Sequence, residues 1–239
     1  FPIYFFASRK LLLTIKSPFS FTIFLALVSV HWIFDYFSFS RGYGASLAFL
    51  LLAFYLIQRW FETQKNRFYL AVIFLFAAAL LCNLSLLIPL VILLFYLIFV
   101  SIVRAKQFVI GQLIGFWITT LCFMTFLIPV YIYINKLKKA GALWWGSKEG
   151  LWEVTGKSIS KNTFFSESEV FKYVLVFWIA LMAVKLIVRW KNSGLKKLLA
   201  DPSWWIPLLF VLTLFSIEIS SKLLDVNYPM DRVGMYLVP

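Results

Sequence analysis

Two short polar stretches of this sequence carry arginines that could bind a phosphate. The first, Ser-Phe-Ser-Arg-Gly-Tyr-Gly-Ala-Ser-Leu over positions 38–47, places Arg41 and Tyr43 between two long apolar runs, with Asp35 just upstream. A guanidinium held at headgroup depth could grip a phosphate through two parallel hydrogen bonds, and its glycine neighbours let the backbone turn or approach a ligand closely. A helix-to-helix turn with a snorkelling arginine and an interfacial tyrosine would explain the same residues.

The second stretch is Asn-Tyr-Pro-Met-Asp-Arg over positions 227–232, which contains Tyr228 and Arg232. Taken alone, it predicts a proline turn with a surface Asp–Arg pair worth less than about 1 kcal/mol. If Arg232 lies on the same face of a membrane as Arg41, the two arginines together suit a diphosphate or a lipid phosphate.

A third stretch, the long segment 134–170, has a composition typical of a sugar-binding surface. Its tryptophans interleave with charged residues (Trp144, Trp145 and Trp152 with Lys148, Glu149, Glu153 and Lys157). An aromatic face packs on a sugar ring, while carboxylates accept hydrogen bonds from its hydroxyls. Glu149 and Glu153 could serve as general bases. An amphipathic helix at the headgroups, with its tryptophans at the interface, would give the same pattern.

Two further pairs of polar residues lie near the ends of apolar runs. Glu218 precedes Lys222 by four residues, a spacing that predicts an ion pair on a helix. His31 lies one helical turn before Asp35 and could orient that carboxylate, although a core histidine with its hydrogen bonds satisfied is the simpler interpretation. Within the chain, Asp35 and Glu153 are the candidates for a catalytic residue, and Glu149 is a further conceivable general base.

Known cofactor and metal motifs give no further candidates. Cys82 and Cys122 lie in apolar runs without nearby histidines or acids, so we interpret them as packing residues, neither metal ligands nor a disulfide pair. No Walker, dinucleotide-binding, zinc-protease or nucleophile-elbow motif is found. The sequence therefore predicts no metal site among these residues and assigns no cofactor. Whether the protein requires a divalent metal ion stays open.

The elements that must position these groups are membrane helices. The 239 residues are 62% hydrophobic and 14% charged, whereas a soluble domain is near half apolar with about a quarter of its residues charged. About 20 apolar residues cross a bilayer as a helix, and the alternation of barrel strands is missing. We predict an all-α, polytopic transmembrane helical bundle that forms a single transmembrane domain over residues 1–239.

Seven spans are predicted, with an eighth beginning near residue 233. The predicted spans are 18–34, 44–60, 68–82, 86–103, 107–133, 171–188 and 204–221. Residues 68–103 would extend about 54 Å as a single helix, which is too long for one crossing. Asn83-Leu84-Ser85 divides this stretch in two. Because the chain starts at Phe1 within an apolar patch and stops as another begins, we expect an internal piece of a longer protein.

The basic residues predict which connections face the cytoplasm. Counting nearby helix ends, connections 7–17, 61–67, 104–106 and 189–203 hold more than half of the lysines and arginines and only two acids. The other group comprises 35–43, 83–85, 134–170 and 222–232. The positive-inside rule places the first group in the cytoplasm. The net charge of +13 is thereby explained by topology, without a nucleic-acid partner. Arg41, the segment 134–170 and Arg232 are then extracytoplasmic.

These three outer stretches resemble, in order, segments of the bacterial GT-C-type membrane glycosyltransferases. Residues 35–56 resemble the region where an Arg-x-Tyr element opens a helix on the outer face, and 144–159 look like an extracytoplasmic loop of one branch. Residues 227–239 are similar to a Tyr-Pro-x-x-Arg-x-x-x-Tyr segment before the next span.

The resemblance implies a multi-pass enzyme of the bacterial cytoplasmic (inner) membrane with an extracytoplasmic active face. It would move a sugar from a polyprenyl-phosphate carrier to a glycan, lipid or protein acceptor. Arg41 and Tyr43 match the element near the carrier phosphate, and Tyr228 and Arg232 match the later motif. The catalytic acid of such enzymes lies in the first outer loop, which would precede Phe1. The outer connections here lack that family's Asp-Asp or Asp-x-Asp pair.

Two other functions remain open from the sequence. A transporter or flippase of a lipid-linked or anionic substrate could use the same arginines, but the interiors of these spans carry few polar residues beyond Ser85, Thr119, Thr120 and Thr125. A non-catalytic membrane subunit is the third hypothesis.

Overall fold

The structure, a computed structural model, describes residues 1–15, 42–105, 108–140, 147–157, 160–161, 170–193, 199, 201–224 and 227–228. This part of the chain is helical and contains no β-strand. The helices are α1 (Pro2–Ile15), α2 (Tyr43–Thr63), α3 (Asn66–Cys82), α4 (Leu87–Val103), α5 (Ile110–Lys139), α6 (Val170–Ser193) and α7 (Pro202–Leu224). A 3-10 turn at Leu84–Leu86 and a π-helical turn at Leu151–Gly156 complete them. The predicted all-α class is confirmed for the described residues.

Within the described residues, four helices are long and apolar enough to cross a membrane. They cover Tyr43–Thr63, Leu84–Val103, Ile110–Leu137 and Trp204–Lys222, in agreement with four of the predicted spans. The predicted spans 68–82 and 171–188 are helical too, but their apolar parts, Asn66–Cys82 and Val176–Val188, are shorter. The span 18–34 and the one beginning near 233 lie outside the described residues. The total of seven to eight spans stays a prediction.

Large apolar side chains remain exposed on both the spanning helices and the shorter apolar helices. Phe74 on α3 is 73% exposed, and Ile110 and Leu121 on α5 are 75% and 63% exposed. Exposed apolar surface of this extent is costly in water and marks a membrane or partner surface. The exposure therefore agrees with helices that face lipid.

Two helices extend into segments that the sequence predicted to be connections. α1 includes most of the predicted connection 7–17, with Arg9 and Lys10 exposed on its surface. α5 continues through Pro129 and ends at Lys139, inside the predicted loop 134–170. Lysine and arginine are good helix formers, and cations suit a helix C-terminus. Reading basic residues as connections therefore missed helix α1 and ended the span 107–133 too early.

The predicted break after the third span is confirmed, and Asn83 explains it. α3 ends at Cys82, and Asn83 takes an extended backbone conformation. The Asn83 side-chain oxygen accepts hydrogen bonds from the Ser85 amide at 3.1 Å and the Ser85 hydroxyl at 2.7 Å. Such local bonds offer the backbone an alternative to a continued helix.

The chain divides into two compact units. The first comprises Phe1–Ile134 with Leu199–Ser203, and the second comprises Asn135–Leu198 with Trp204–Pro239. An aromatic cluster forms part of the core of the first unit, where the Trp60 and Phe116 rings stack at 5.5 Å and the Tyr69 hydroxyl lies 2.7 Å from the Thr120 hydroxyl. These contacts join α2, α3 and α5.

Contacts at the two ends of the first unit agree with the predicted grouping of connections. At one end, Gly42 lies so close to the Cys82 carbonyl that a Cβ would be 2.6 Å from its oxygen. At the other end, the Arg104 guanidinium lies 3.4 Å from the Phe61 carbonyl oxygen. Burial lowers the pKa of the Arg104 guanidinium from its ordinary value, although the group remains a cation. The sidedness of these ends stays a prediction.

Candidate functional site

Tyr228 joins the long loop to the end of α7 within the second unit. Its amide donates a hydrogen bond to the Ser147 carbonyl at 3.0 Å, and the two residues form an antiparallel bridge. Tyr228 is only 5% exposed and packs in a buried cluster with Val154 and Ile217. Main-chain pairing and apolar burial therefore fix two segments, some 80 residues apart in sequence, against one helix.

The hydroxyl of Tyr228 is held by the pair predicted on α7. It donates to Glu218 Oε2 at 3.1 Å, while Lys222 Nζ lies 2.8 Å from Glu218 Oε1. The predicted ion pair between Glu218 and Lys222 is confirmed. Because both carboxylate oxygens have a partner, Glu218 is suited to holding Tyr228 in place.

A π-helical turn presents Trp152 beside this junction. The turn Leu151–Gly156 follows Gly150, whose φ of 131° is one that glycine tolerates and other residues rarely adopt. π-helical turns are rare and recur at functional sites. A Cβ on Gly156 would lie 2.3 Å from Cε3 of Trp152, so the indole can pack here only against a glycine. On the buried side of the turn, Val154 contacts the Tyr228 cluster.

Two cations accompany the turn. Lys172 Nζ, from the first turn of α6, lies 5.8 Å from the Trp152 ring centroid, within cation–π range. Lys157 forms an ion pair with Glu153, whose side chain is 48% exposed. An exposed pair of this kind contributes less than about 1 kcal/mol, so a ligand could displace Lys157 from the Glu153 carboxylate at little cost.

The structure brings together three of the predicted site residues. Trp152 and Glu153 lie on one turn, and Val154 links that turn to Tyr228. Tyr43 is half-buried at the start of α2 in the first unit, where its carbonyl accepts a hydrogen bond from Ser46 Oγ at 2.7 Å. The predicted residues Asp35, Arg41 and Arg232, with His31, Trp144 and Trp145, lie outside the described residues.

The sequence did not single out Lys172, Ser147 or Gly156 as parts of a site. Lys172 had one detectable feature, a cation in the first turn of a helix, where the helix dipole disfavours it. Ser147 contributes its carbonyl, which no side-chain pattern reveals. The role of Gly156 is evident only from the structure, in which the Trp152 indole packs against it.

No metal site is evident in the part of the chain that the structure describes, since no three His, Cys, Asp or Glu side chains there could hold an ion. Comparison with protein families, with curated proteins and with solved structures finds no match to this chain. The functional assignment therefore depends on the site itself and on the spanning helices.

Proposed function

We propose that this chain belongs to a membrane glycosyltransferase of the GT-C type that moves a sugar from a polyprenyl-phosphate carrier to an acceptor at the extracytoplasmic face of the inner membrane. The observation that carries the proposal is the packing of the Trp152 turn and Tyr228 on the end of α7. This packing gives an apolar helical protein an anchored aromatic surface at the end of a helix long enough to span the membrane.

The proposed reaction assigns separate roles to the acceptor, the carrier phosphate and the charged groups of the protein. The acceptor oxygen attacks the anomeric carbon, the bond from that carbon to the carrier phosphate breaks, and the acceptor proton passes to a carboxylate. Negative charge develops on the leaving phosphate, where fixed cations stabilise the transition state most effectively. Arg41 is the proposed cation at the carrier phosphate, and Tyr43 lies two residues from it.

In this proposal, the residues of the second unit bind the sugar. The Trp152 indole offers a flat apolar face to a sugar ring, and the exposed Glu153 carboxylate can accept a hydrogen bond from a sugar hydroxyl. Tyr228 acts through position, because its hydroxyl is bonded to Glu218 and its ring is buried. The hydrocarbon of the bilayer would take the polyprenyl tail.

Arg41→Ala tests the proposal directly. We expect the full-length variant to insert and fold but to lose transfer from a radiolabelled polyprenyl-phosphate sugar. Arg59→Ala is a matched control, because Arg59 pairs with Glu62 near the opposite end of α2, and it should retain transfer. Full activity of Arg41→Ala would remove the main support for the mechanism.

A second experiment separates transfer from transport. In sealed vesicles that contain the full-length protein, a glycosyltransferase forms a glycosylated acceptor and consumes the carrier-linked sugar. Movement of the intact lipid-linked substrate across the bilayer, without any product, would instead establish a flippase.

A further inference from the structure

Trp152 has a fixed position before any ligand arrives. Its ring packs against the backbone of Gly156, and the turn that carries it is anchored through Val154 to Tyr228 and Ile217. An aromatic side chain held in this way loses little further freedom when it binds a ligand, and such pre-organisation favours affinity. A half-buried indole on an anchored turn is therefore suited to stacking against a ring.

Lys172 places a positive charge beside this indole in a position that helix stability does not explain. It is the third residue of α6, whose first turn contains no acid. A cation there opposes the helix dipole, and its cation–π contact at an exposed site is weak. A ligand anion would give the lysine a stronger partner.

The other charges of the turn do not neutralise Lys172. Glu153, the acid of this turn, pairs with Lys157. Among the ion pairs formed by the described residues, none involves Lys172. The surface around the indole consequently combines an apolar face with an exposed ammonium group.

From this arrangement we infer that Trp152 and Lys172 form a subsite for an acidic sugar, a pyranose that carries a carboxylate or a phosphate. The apolar face of the ring stacks on the indole, and the anionic group contacts Lys172 Nζ, which lies 5.8 Å from the centre of that indole. A neutral sugar would use the aromatic face alone. This inference rests on the proposed function, because it names the class of sugar that the enzyme handles, but its test requires no transfer reaction.

The test compares four probes on the full-length protein in nanodiscs: the sugars by titration with saturation-transfer NMR, and inorganic phosphate, which has no carbon-bound proton to observe, by its competition with glucose 1-phosphate. The probes are glucuronate, glucose 1-phosphate, glucose and inorganic phosphate. We expect the two acidic sugars to bind more tightly than glucose by up to about fivefold, the upper end of the range for one exposed charge pair. Inorganic phosphate should bind more weakly than glucose 1-phosphate, because it lacks a ring to stack.

Variants assign the preference to the two residues. Lys172→Gln should abolish the preference for acidic sugars without weakening glucose binding, and Lys172→Arg should retain it. Lys185→Gln alters another exposed lysine of α6 and should behave like the unmodified protein. Trp152→Leu should weaken the binding of all three sugars. Trp152→Phe keeps an aromatic face and serves as the control for a folding defect.

Several results would overturn the inference: equal affinities for glucuronate and glucose, a preference that survives Lys172→Gln, or inorganic phosphate binding as tightly as glucose 1-phosphate. These results differ from a failure of the proposed function. A protein that prefers acidic sugars but never transfers one would refute the glycosyltransferase proposal and leave the subsite intact. A protein that transfers a sugar yet binds glucose and glucuronate equally would refute the subsite and leave the glycosyltransferase proposal intact.

Discussion

Replacing Gly42 by alanine should destabilise the first unit by about 2 to 5 kcal/mol. Gly42 has a φ of 80° at the start of α2, a left-handed conformation that costs an L-residue roughly 1–2 kcal/mol. The new Cβ would also lie 2.6 Å from the Cys82 carbonyl oxygen, a backbone atom that cannot rotate away. Overpacking of this kind typically costs about 1–3 kcal/mol, and the two contributions give the stated range.

The measurement is unfolding of the full-length protein in mixed micelles of increasing SDS content, followed by helical circular dichroism. Gly111→Ala is the matched control, because a Cβ there has nothing within 4 Å and Gly111 lies in the first turn of α5. It should be neutral or more stable by up to about 1 kcal/mol. Equal stability of the two variants would refute the close approach of Gly42 to Cys82.

Three further substitutions test the contacts that hold the turns. Tyr228→Phe removes the hydrogen bond to Glu218 and should lower the free energy of unfolding by about 1 kcal/mol; an unchanged value would mean that the bond contributes nothing. Tyr228→Ala removes a buried ring and should cost about 3–5 kcal/mol, with faster hydrogen exchange over 147–157; unaltered exchange there would contradict the anchoring role. Asn83→Ala removes the bonds to Ser85 and should cost about 1 kcal/mol by analogy with helix caps, measured by the same SDS unfolding, and a neutral result would show that the break does not need them.

The elements that were predictable from the sequence are those with local causes. The break at Asn83 follows from a side chain that bonds to its own neighbours, and the Glu218–Lys222 pair follows from helical spacing. Helix α1 was not predicted, because 7–17 was interpreted as a connection, and the fifth span was predicted to end at residue 133 whereas α5 ends at Lys139. Lysine both ends apolar runs and continues helices, so composition does not locate the last turn.

The candidate site was predictable in some of its members but not in its arrangement. The tryptophan-rich composition of the long loop singled out Trp152 and Glu153, and the resemblance singled out Tyr228. The bond from the Tyr228 amide to the Ser147 carbonyl joins positions that only the tertiary structure brings together, through main-chain atoms common to all residue types. Lys172 likewise acquires its place beside Trp152 from the packing of α6.

The antiparallel bridge between Ser147 and Tyr228 has a consequence for how this protein could diversify. Because its hydrogen bond runs from amide to carbonyl, replacing the serine side chain leaves that bond in place. Under the proposed function, mutations on the outward side of the same loop would alter which molecule is recognised while the attachment to α7 persists. Ligand choice and structural integrity can therefore evolve at different rates in this region.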